Sequence, residues 1–428
     1  MPPDLILSLH SIPQMLARLW EVNKHSDVLA VIYTTFSICA LLQAAGMLLQ
    51  TYEHARFGRS RLRSAVTNAF QPRVEVFLPC KGLDSGLEPL VRSLLTQNYP
   101  AYGVTFVIDS TNDPAWEYLQ SMLSVSSPIP TRILVAGVAE DCGQKVHNLL
   151  VGTASLWPEV EALAFLDSDI QIEQDWLARL IEPLQRSRIG AVTGYRWLVP
   201  VDNNLAGVWL SALNAEAALV FGNHSLNAIW GGSWSILRPT FEAVGIRQAW
   251  SGAITEDLSA WKALRRAHLQ VAFEPKCLVV SPIRYDFRGA VEFVRRQYLI
   301  TREYAPGLWL LWASGEILFN LSFWGGFVMM GWDWIHGRSV EGAMLFLLSL
   351  GGLAALRAFV RQASVTDRFP AWKEGIACAR RFDIWARPLV ALWNLVLILS
   401  SGVGSKVTWR GIEYRMSGPH RTCVLGKR

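Results

Sequence analysis

Charged residues and cysteines are scarce in this sequence, and each shortage argues against a class of protein. Asp, Glu, Lys and Arg make up 18% of the 428 residues, whereas apolar residues make up 51%. That balance is unusual for a soluble protein. The six cysteines are scattered and contain no Cys-x-x-Cys pair, which argues against a zinc site and against a disulfide framework. Because the apolar residues concentrate at the two ends, we expect a membrane protein with a soluble insert.

The segment 28–50 contains no charged residue and is long enough, as a helix, to cross a hydrocarbon core of roughly 30 Å. A cleaved signal peptide is the alternative, but the apolar stretch is too long and no small-residue cleavage site follows it. An Arg cluster comes next, and the positive-inside rule places it in the cytosol. The cluster consists of Arg56, Arg59, Arg61 and Arg63. The net charge of +5 therefore fits juxtamembrane contact with anionic lipid, and we expect no nucleic-acid partner.

Between Val74 and Pro282 short apolar runs alternate with amphipathic stretches, which is typical of an α/β layer fold. The apolar runs are nearly continuous, as in buried parallel strands. Strands are predicted at Val74–Pro79, Val104–Ile108, Arg132–Val135 and Ala162–Leu166, and helices at Leu87–Gln97 and Asp175–Gln185. We therefore expect a catalytic α/β domain over 74–289.

The chain becomes apolar again beyond Pro306, with candidate spans at Leu308–Gly331 and Gly342–Val360 and a shorter segment at Pro388–Val403. A third crossing would export a basic tail, so the short segment is predicted to be re-entrant or interfacial, with a true span as the alternative. The predicted organisation is a non-cytosolic segment 1–27, a span 28–50, a basic linker 51–73, the cytosolic domain 74–289, an interfacial Arg-rich helix 290–306, a membrane region 307–403 and a basic tail 404–428.

Asp167 and Asp169 directly follow the predicted strand Ala162–Leu166. Residues two apart in an extended chain project to the same side, so both carboxylates can face one hard divalent cation that holds a nucleotide diphosphate. The ends of parallel strands meet at one edge of a sheet, where ligands bind. Pro79-Cys-Lys-Gly and Asp109 also follow strands, so we expect three strand ends to converge on one site.

Further motifs follow in a fixed order along the chain. They are Gln144-Lys-Val-His-Asn148, Thr255-Glu-Asp257, Arg295-Arg-Gln-Tyr298 and Trp409-Arg-Gly-Ile-Glu-Tyr414. The ordered set resembles the inverting family 2 type glycosyltransferases, and within them the ceramide glucosyltransferase and hopanoid glycosyltransferase branch. The resemblance covers nearly the whole chain. It implies a GT-A nucleotide-sugar domain flanked by membrane helices, which moves a sugar from a nucleotide donor to a lipid hydroxyl.

The resemblance also implies roles for individual residues. Asp257 would be the general base, with Glu256 as the alternative, and Arg296 would stabilise the departing diphosphate. Asp167 and Asp169 would hold Mg²⁺ or Mn²⁺. The implied nucleotide-sugar contacts are Pro79, Lys81, Asp109, Asp113, Lys145, Asn148, Asp167, Arg295, Trp409 and Arg410.

Several of these positions have structural alternatives. Asp109 and Asp113 compete for the nucleoside-binding role, and an Asx-turn explains the same stretch. Thr255 is a candidate helix cap that would place both following acids in the first turn. The Arg-Arg-Gln-Tyr motif departs from the family pattern, Gln/Arg-x-x-Arg-Trp, so its register is open, and arginines on an interfacial helix also reach lipid phosphates. Trp409 and Arg410 suit a simple membrane anchor equally well.

The expected function is therefore metal-assisted, inverting transfer of a sugar, with glucose the first expectation, from a UDP-sugar to a lipid of ceramide, hopanoid or diacylglycerol type. A processive polysaccharide synthase is the enzymatic alternative, although such enzymes need more helices and an intact motif. A catalytically inactive membrane scaffold that binds lipid or a partner is the alternative from another class. The expected location is a bacterial inner membrane with the catalytic domain in the cytosol.

Overall fold

A computed structural model describes residues 28–65, 69–84, 86–124, 127–366 and 368–427. The predicted N-terminal segment 1–27 lies outside the described residues. The helices are α1 Val28–Arg63, α2 Leu87–Leu95, α3 Pro114–Ser124, α4 Gln144–Gly152, α5 Trp176–Ile181, α6 Leu205–Ala218, α7 Arg238–Ala243, α8 Ile246–Trp250, α9 Glu256–Arg266, α10 Phe287–Tyr304, α11 Pro306–Ile335, α12 Glu341–Thr366, α13 Lys373–Trp385 and α14 Arg387–Ser400. The strands are β1 Val74–Pro79, β2 Tyr102–Ile108, β3 Thr131–Val135, β4 Ala162–Leu166, β5 Ile189–Pro200, β6 Ser233–Leu237, β7 Gln270–Ile283, β8 Lys406–Trp409, β9 Ile412–Met416 and β10 Thr422–Lys427.

A seven-stranded sheet in the order β3-β2-β1-β4-β6-β5-β7 organises the described part of residues 74–283. The first four strands pair in parallel, whereas β6 runs antiparallel to both β4 and β5. One apolar core lies between the sheet and α2, α3 and α5, and a second lies on the opposite face against α4, α8 and α9. The predicted α/β class and the four predicted parallel strands are thus confirmed. The sheet edge that carries the ends of β1, β2 and β4 faces the tail strands β8 and β9.

The first helix is longer than the sequence analysis predicts. It continues from Val28 through the expected basic linker to Arg63, over 36 residues. The guanidinium of Arg61 lies 2.5 Å from the buried carboxylate of Glu274 on β7. The first half of the basic segment is therefore helical, and Arg61 fixes it to the sheet domain.

Two described helices, α1 and α12, are long and apolar enough to cross a membrane. The 30-residue α11 packs against both, and its length of about 45 Å also suffices for a crossing. The successive helices α13 and α14 bend by 86° at their junction, and α14 has only 14 residues. Such a bend fits a broken span as well as a re-entrant segment, so both predicted alternatives stay open.

The tail fixes the parity of these crossings. Arg410, in the tail, forms two hydrogen bonds of 2.8 Å with Asp84 of the sheet domain. The tail and the sheet domain therefore lie on the same side of the membrane, and an even number of crossings must separate them. Either α11 with α12 or α12 with the bent pair satisfies that parity, so the two predicted crossings at α11 and α12 stay a prediction.

Candidate active site

A cavity of about 910 Å³ lies outside the carboxyl ends of β1 and β4. The start of α4, the start of α9, one face of α10 and the tail strands β8 and β9 form its other walls. Eleven of the predicted site residues line it, from six separate segments of the chain. They are Pro79, Lys81, Lys145, Asn148, Asp167, Asp169, Glu256, Asp257, Arg296, Trp409 and Arg410.

Lys145 lies at the centre of the acidic group. Its Nζ is 2.5 Å from Asp167 Oδ1 and 2.5 Å from Glu256 Oε1, and it donates a hydrogen bond to Gly231 O at 3.1 Å. One cation thus serves two carboxylates. Burial lowers the pKa of Lys145, but the two carboxylates outweigh it and the pKa stays above its ordinary value.

The two carboxylates respond differently to the shared cation. Burial raises the pKa of Glu256 to about 7, and Lys145 offsets this only in part. Burial also acts on Asp167, but the positive charges of Lys145, Arg196 and Arg410 hold its pKa below the ordinary value. Glu256 is therefore the first of the pair to take up a proton as the pH falls.

Two glycines make this cluster possible. A Cβ on Gly231 would lie 1.9 Å from Glu256 Oε1, and one on Gly232 would lie 2.8 Å from Asp167 Oδ2. A side chain at either position would therefore displace the acidic groups from their present arrangement. The Gly231-Gly232 pair before β6 thus lets the acidic groups of β4 and α9 reach the same lysine.

Asp257 is held by three hydrogen-bond donors at the start of α9. Its Oδ1 accepts from the Thr255 hydroxyl at 2.5 Å and from Leu258 N at 2.6 Å, and its Oδ2 accepts from Gly231 N at 3.0 Å. Thr255 occupies the N-cap position, as expected, but its side chain bonds Asp257 instead of a backbone N–H. The carboxylate is consequently fixed in orientation while it lines the cavity.

Asp169 lies beside Asp167 but has weaker contacts with cations. Its Oδ2 is 3.9 Å from the guanidinium of Arg196, and its side chain is 41% exposed toward the cavity. Burial and the charge of Asp167 raise the pKa of Asp169. A positive charge between the two carboxylates would remove this repulsion.

The two adjacent arginines of α10 have different surroundings. Arg296 lines the cavity and donates to Thr408 O at 2.9 Å, and burial lowers its pKa to about 10. Arg295 lies outside the cavity wall, where it donates to Ser400 O and Val403 O. Arg296 therefore faces the cavity, whereas Arg295 is turned toward the chain that follows α14. The structure thus places Arg296 at the site, and the predicted nucleotide contact of Arg295 has no geometric support.

Asp109 and Asp113 also lie outside the cavity wall. Asp109 forms a buried ion pair with Lys81, and Asp113 accepts from Gly82 N at 2.8 Å and Ala115 N at 2.9 Å. Asp113 therefore makes the Asx-type turn that was the structural alternative. The expected convergence of three strand ends holds for β1 and β4, whereas Asp109, which follows β2, contacts the site only through Lys81.

The tail supplies one wall of the site through a tight turn. Arg410 and Gly411 join β8 to β9 with φ of 48° and 75°. Positive φ at both central positions is the pattern of a type I′ hairpin turn, which is costly for a residue other than glycine. The turn points Arg410 at Asp84, whose Oδ2 also accepts from the Ser168 hydroxyl at 2.9 Å. The ion pair with Asp84 accounts for the position of the Arg410 side chain without a membrane-anchor role.

Sequence reasoning missed three charged residues that line the cavity, Asp84, Arg196 and Arg284. Asp84 follows the Pro79-Cys-Lys-Gly motif on the loop after β1, so its position at a strand end was an available signal. Arg196 lies in the middle of β5 and has no local signal. Its guanidinium lies 5.8 Å from the centre of the Trp230 ring and 5.4 Å from that of Phe293.

The fold and the cavity are those of a glycosyltransferase associated with the membrane. The chain belongs to glycosyl transferase family 21, whose model matches residues 36–421. This confirms the expected resemblance to the ceramide glucosyltransferase branch and the GT-A type of α/β domain with flanking membrane helices.

Individual relatives are more distant. A ceramide glucosyltransferase of Komagataella phaffii is 26% identical over 123 residues, which is 27% of this chain and 24% of that protein. The chain thus matches about a quarter of that relative's length. The solved mannosyltransferase PcManGT from Pyrobaculum calidifontis, in complex with GDP-Man and Mn²⁺, aligns over 86% of this chain and 97% of its own with 13% identity and a TM-score of 0.47. GalNAc-T7 with UDP, GalNAc and Mn²⁺ aligns over 54% and 51% with 13% identity and a TM-score of 0.37.

Proposed function

We propose that the protein transfers a hexose, with glucose as the first donor to test, from a UDP-sugar to the hydroxyl group of a membrane lipid, with inversion at the anomeric carbon. The observation that carries the proposal is the meeting of Lys145, Asp167, Glu256 and Asp257 from three separate segments at one cavity. Family membership supports the reaction type, and the membrane helices beside the cavity support a lipid as the acceptor.

Asp257 is the base in this proposal. Its carboxylate would take the proton of the lipid hydroxyl as the oxygen forms a bond to the anomeric carbon, while the bond from that carbon to the diphosphate oxygen breaks. The donors on Gly231, Thr255 and Leu258 fix the direction of the carboxylate, so little reorganisation accompanies proton uptake. Attack opposite the leaving diphosphate gives inversion.

The departing diphosphate requires positive charge on the other side of the sugar. Arg296 and Arg410 line the cavity and keep donors available beside their protein contacts. Lys145 is occupied by two carboxylates, and protonation of Glu256 would free part of its charge for the donor. Asp109 and Lys81 stay candidates for the nucleoside end, as do Pro79, Asn148 and Trp409.

The residues present fit Mg²⁺ or Mn²⁺ at Asp167 and Asp169. The described residues contain no group of three or more His, Cys, Asp or Glu around one such site. Mg²⁺ is commonly held by one or two carboxylates, with substrate phosphates and water completing its shell. Burial first and the charge of Asp167 second raise the pKa of Asp169, and a cation between the two carboxylates would relieve the second effect. When bound, the cation would neutralise charge on the diphosphate.

We further propose that the sheet domain faces the cytosol, because the Arg cluster Arg56 to Arg63 directly follows the first crossing. A bacterial inner membrane is the expected setting.

The test is to incubate membranes that contain the protein with a panel of labelled UDP-sugars and a lipid extract, and to separate the chloroform-soluble products. The unmodified protein should make a labelled lipid. Asp257→Asn should make none while it still binds the UDP-sugar, and Glu159→Gln, an exposed acid of the same domain, should retain full transfer. Full transfer by Asp257→Asn would refute the base assignment. Label that stays water-soluble with every donor would favour a polysaccharide synthase or an inactive scaffold.

A further inference from the structure

A short loop between α8 and α9, residues 252–255, leads directly into the acids Glu256 and Asp257. This base loop belongs to no helix or strand, so its position depends on contacts with other segments. Ala253 and Ile254 are buried in one apolar cluster with residues of α10, β8 and β9. The loop that carries the proposed base is therefore held by elements from elsewhere in the chain.

The hydroxyl of Tyr304, the last residue of α10, contacts the base loop and the tail at once. It accepts a hydrogen bond from Ile254 N at 2.9 Å and donates one to Pro419 O at 2.7 Å. Tyr304 is 1% exposed, and burial raises its pKa to about 12, so the hydroxyl keeps the proton that it donates. One buried side chain thus bridges the base loop and the tail.

The turn between β9 and β10 touches the base loop a second time. Thr422 N donates to Gly252 O at 3.1 Å, and a Cβ on Gly252 would lie 2.2 Å from His420 O. Gly252 has a φ of 70°, a conformation that residues with a side chain rarely adopt. The backbone of the tail and the hydroxyl of Tyr304 thus both contact the base loop within three residues.

Separate contacts connect the base loop to α4. Gly143 N donates to Ala253 O at 2.9 Å, and a Cβ on Gly143 would lie 2.5 Å from Ile254 O. Gly143 is the N-cap of α4, two residues before Lys145. A protein that lost only the Tyr304 hydroxyl would keep these contacts, and with them the position of Lys145.

We propose that Tyr304 is a positioning residue for Asp257: its hydroxyl, backed by the tail turn at residues 417–421, fixes the base loop so that the carboxylate points at the acceptor hydroxyl. Tyr304 lies outside the wall of the catalytic cavity, so it acts through the loop and touches no substrate. The inference rests on the proposed function, because it assigns the support of the base that this function requires. The two hydrogen bonds of the buried hydroxyl carry it.

A matched pair of tyrosine variants tests the role. Tyr304→Phe keeps the ring and removes the hydroxyl, and Tyr99→Phe does the same at a buried tyrosine that donates to Pro72 O, also at 2.7 Å, away from the cavity wall. Since a misplacement of about 1 Å can cost about 100-fold in rate, Tyr304→Phe should lower kcat per UDP-binding site by about tenfold or more. Its Kd for UDP should stay within about twofold, and Tyr99→Phe should keep full kcat. Equal kcat values for the two variants would overturn the proposal.

An acceptor that needs no base separates positioning of the base from a general loss of structure. A thiol, with a pKa of about 8.5 in cysteine, reacts as the thiolate at about pH 9, so its sulfur can bond to the anomeric carbon as UDP leaves. The probe is the thiol analogue of the lipid alcohol that the transfer assay identifies. With this thiol, Tyr304→Phe and Asp257→Asn should both approach the rate of the unmodified protein. A deficit of Tyr304→Phe that is equal for alcohol and thiol would overturn the positioning role.

Hydrogen–deuterium exchange tests the loop without turnover. In the unmodified protein the Ile254 amide should exchange as slowly as the amides of α9, although it lies outside any helix or strand. In Tyr304→Phe it should exchange about tenfold faster or more, while β1 stays unchanged. Fast exchange of Ile254 in the unmodified protein would refute the contact even if the variant fails to fold, and unchanged exchange in a folded variant would refute it too. A failure of the proposed function is distinct, because the unmodified protein would then transfer no sugar to any lipid even where Ile254 is protected.

Discussion

Replacement of Lys145, the lysine shared by Asp167 and Glu256, should lower both the stability of the protein and its transfer activity, and a second change should restore only the stability. Lys145→Met removes the cation between Asp167 and Glu256 and leaves an apolar chain of similar length. Lys145 and Glu256 are 10% and 4% exposed, so solvent screens the loss poorly. Breaking a buried pair by removing one partner typically costs about 3–5 kcal/mol. We expect a destabilisation of that order near pH 8.

The second change should restore part of the loss. Glu256→Gln alone leaves Lys145 paired with Asp167, so it should cost little. The double variant Lys145→Met/Glu256→Gln leaves Asp167 with only the more distant positive charges of Arg196 and Arg410. The expected order of stability is unmodified protein, then Glu256→Gln, then the double variant, then Lys145→Met.

The pH dependence follows from the raised pKa of Glu256. Its ordinary value is 4.5 and burial raises it to about 7 in the folded protein. The folded state therefore binds this proton more tightly, and the resulting stabilisation is fully present below about pH 4.5 and is lost as the pH rises through about 7. Its upper bound is about 3 kcal/mol. Glu256→Gln should remove this slope, and the deficit of Lys145→Met should shrink below about pH 6.

Thermal unfolding followed by tryptophan fluorescence in detergent measures the order at two pH values. Lys373→Met, at an exposed position of α13, controls for the loss of a lysine. The shared-cation argument would be refuted if Lys145→Met unfolded at the same temperature as the control Lys373→Met. It would also be refuted if the double variant were less stable than Lys145→Met. Transfer activity should stay low in the double variant, because the cation that serves the donor is still missing.

Three further results are expected. Excess EDTA should stop transfer, and full activity in EDTA would exclude the metal. Asp169→Asn should raise the Mg²⁺ concentration needed for half-maximal activity by about tenfold or more, since one of two carboxylate ligands is lost. Arg296→Gln should lower kcat/KM for the UDP-sugar by about tenfold or more with little change in thermal stability. Arg295→Gln should mainly lower thermal stability, and the reverse pattern would place Arg295 at the site. Arg410→Ala should weaken donor binding and speed proteolysis of the tail after Ser400, and protease resistance equal to that of the unmodified protein would contradict its role in fixing the tail.

Local patterns in the sequence were sufficient for the four parallel strands of the sheet and for the two acids that follow β4. Nearly continuous apolar runs identify β1 and β4 as buried strands, and a strand end fixes the direction of the residues that follow. Asp167 and Asp169 were found for this reason. Lys145 and Asp257 were predicted from the family resemblance of their motifs, and both lie in the first turn of a helix.

The remaining site residues depend on packing that no local pattern encodes. Arg196 lines the catalytic cavity because β5 pairs with both β6 and β7 and because Phe293 of α10 packs against its guanidinium. Whether Arg295 or Arg296 faces the cavity depends on the rotation of α10 about its axis, and an amphipathic pattern does not resolve adjacent positions. Asp109 was predicted at the site because it follows a strand, but it forms an ion pair with Lys81 and does not line the cavity.

The return of the tail ties membrane insertion to the completeness of the site. Arg302 of α10 donates to Ser401 O and Gly404 O, and Tyr304 donates to Pro419 O at 2.7 Å. These bonds hold the chain that leaves the membrane region against the helix that enters it. The cavity wall formed by Trp409 and Arg410 therefore depends on the helices that connect α10 to the tail. We predict that a sheet domain expressed without these helices lacks this wall and is inactive.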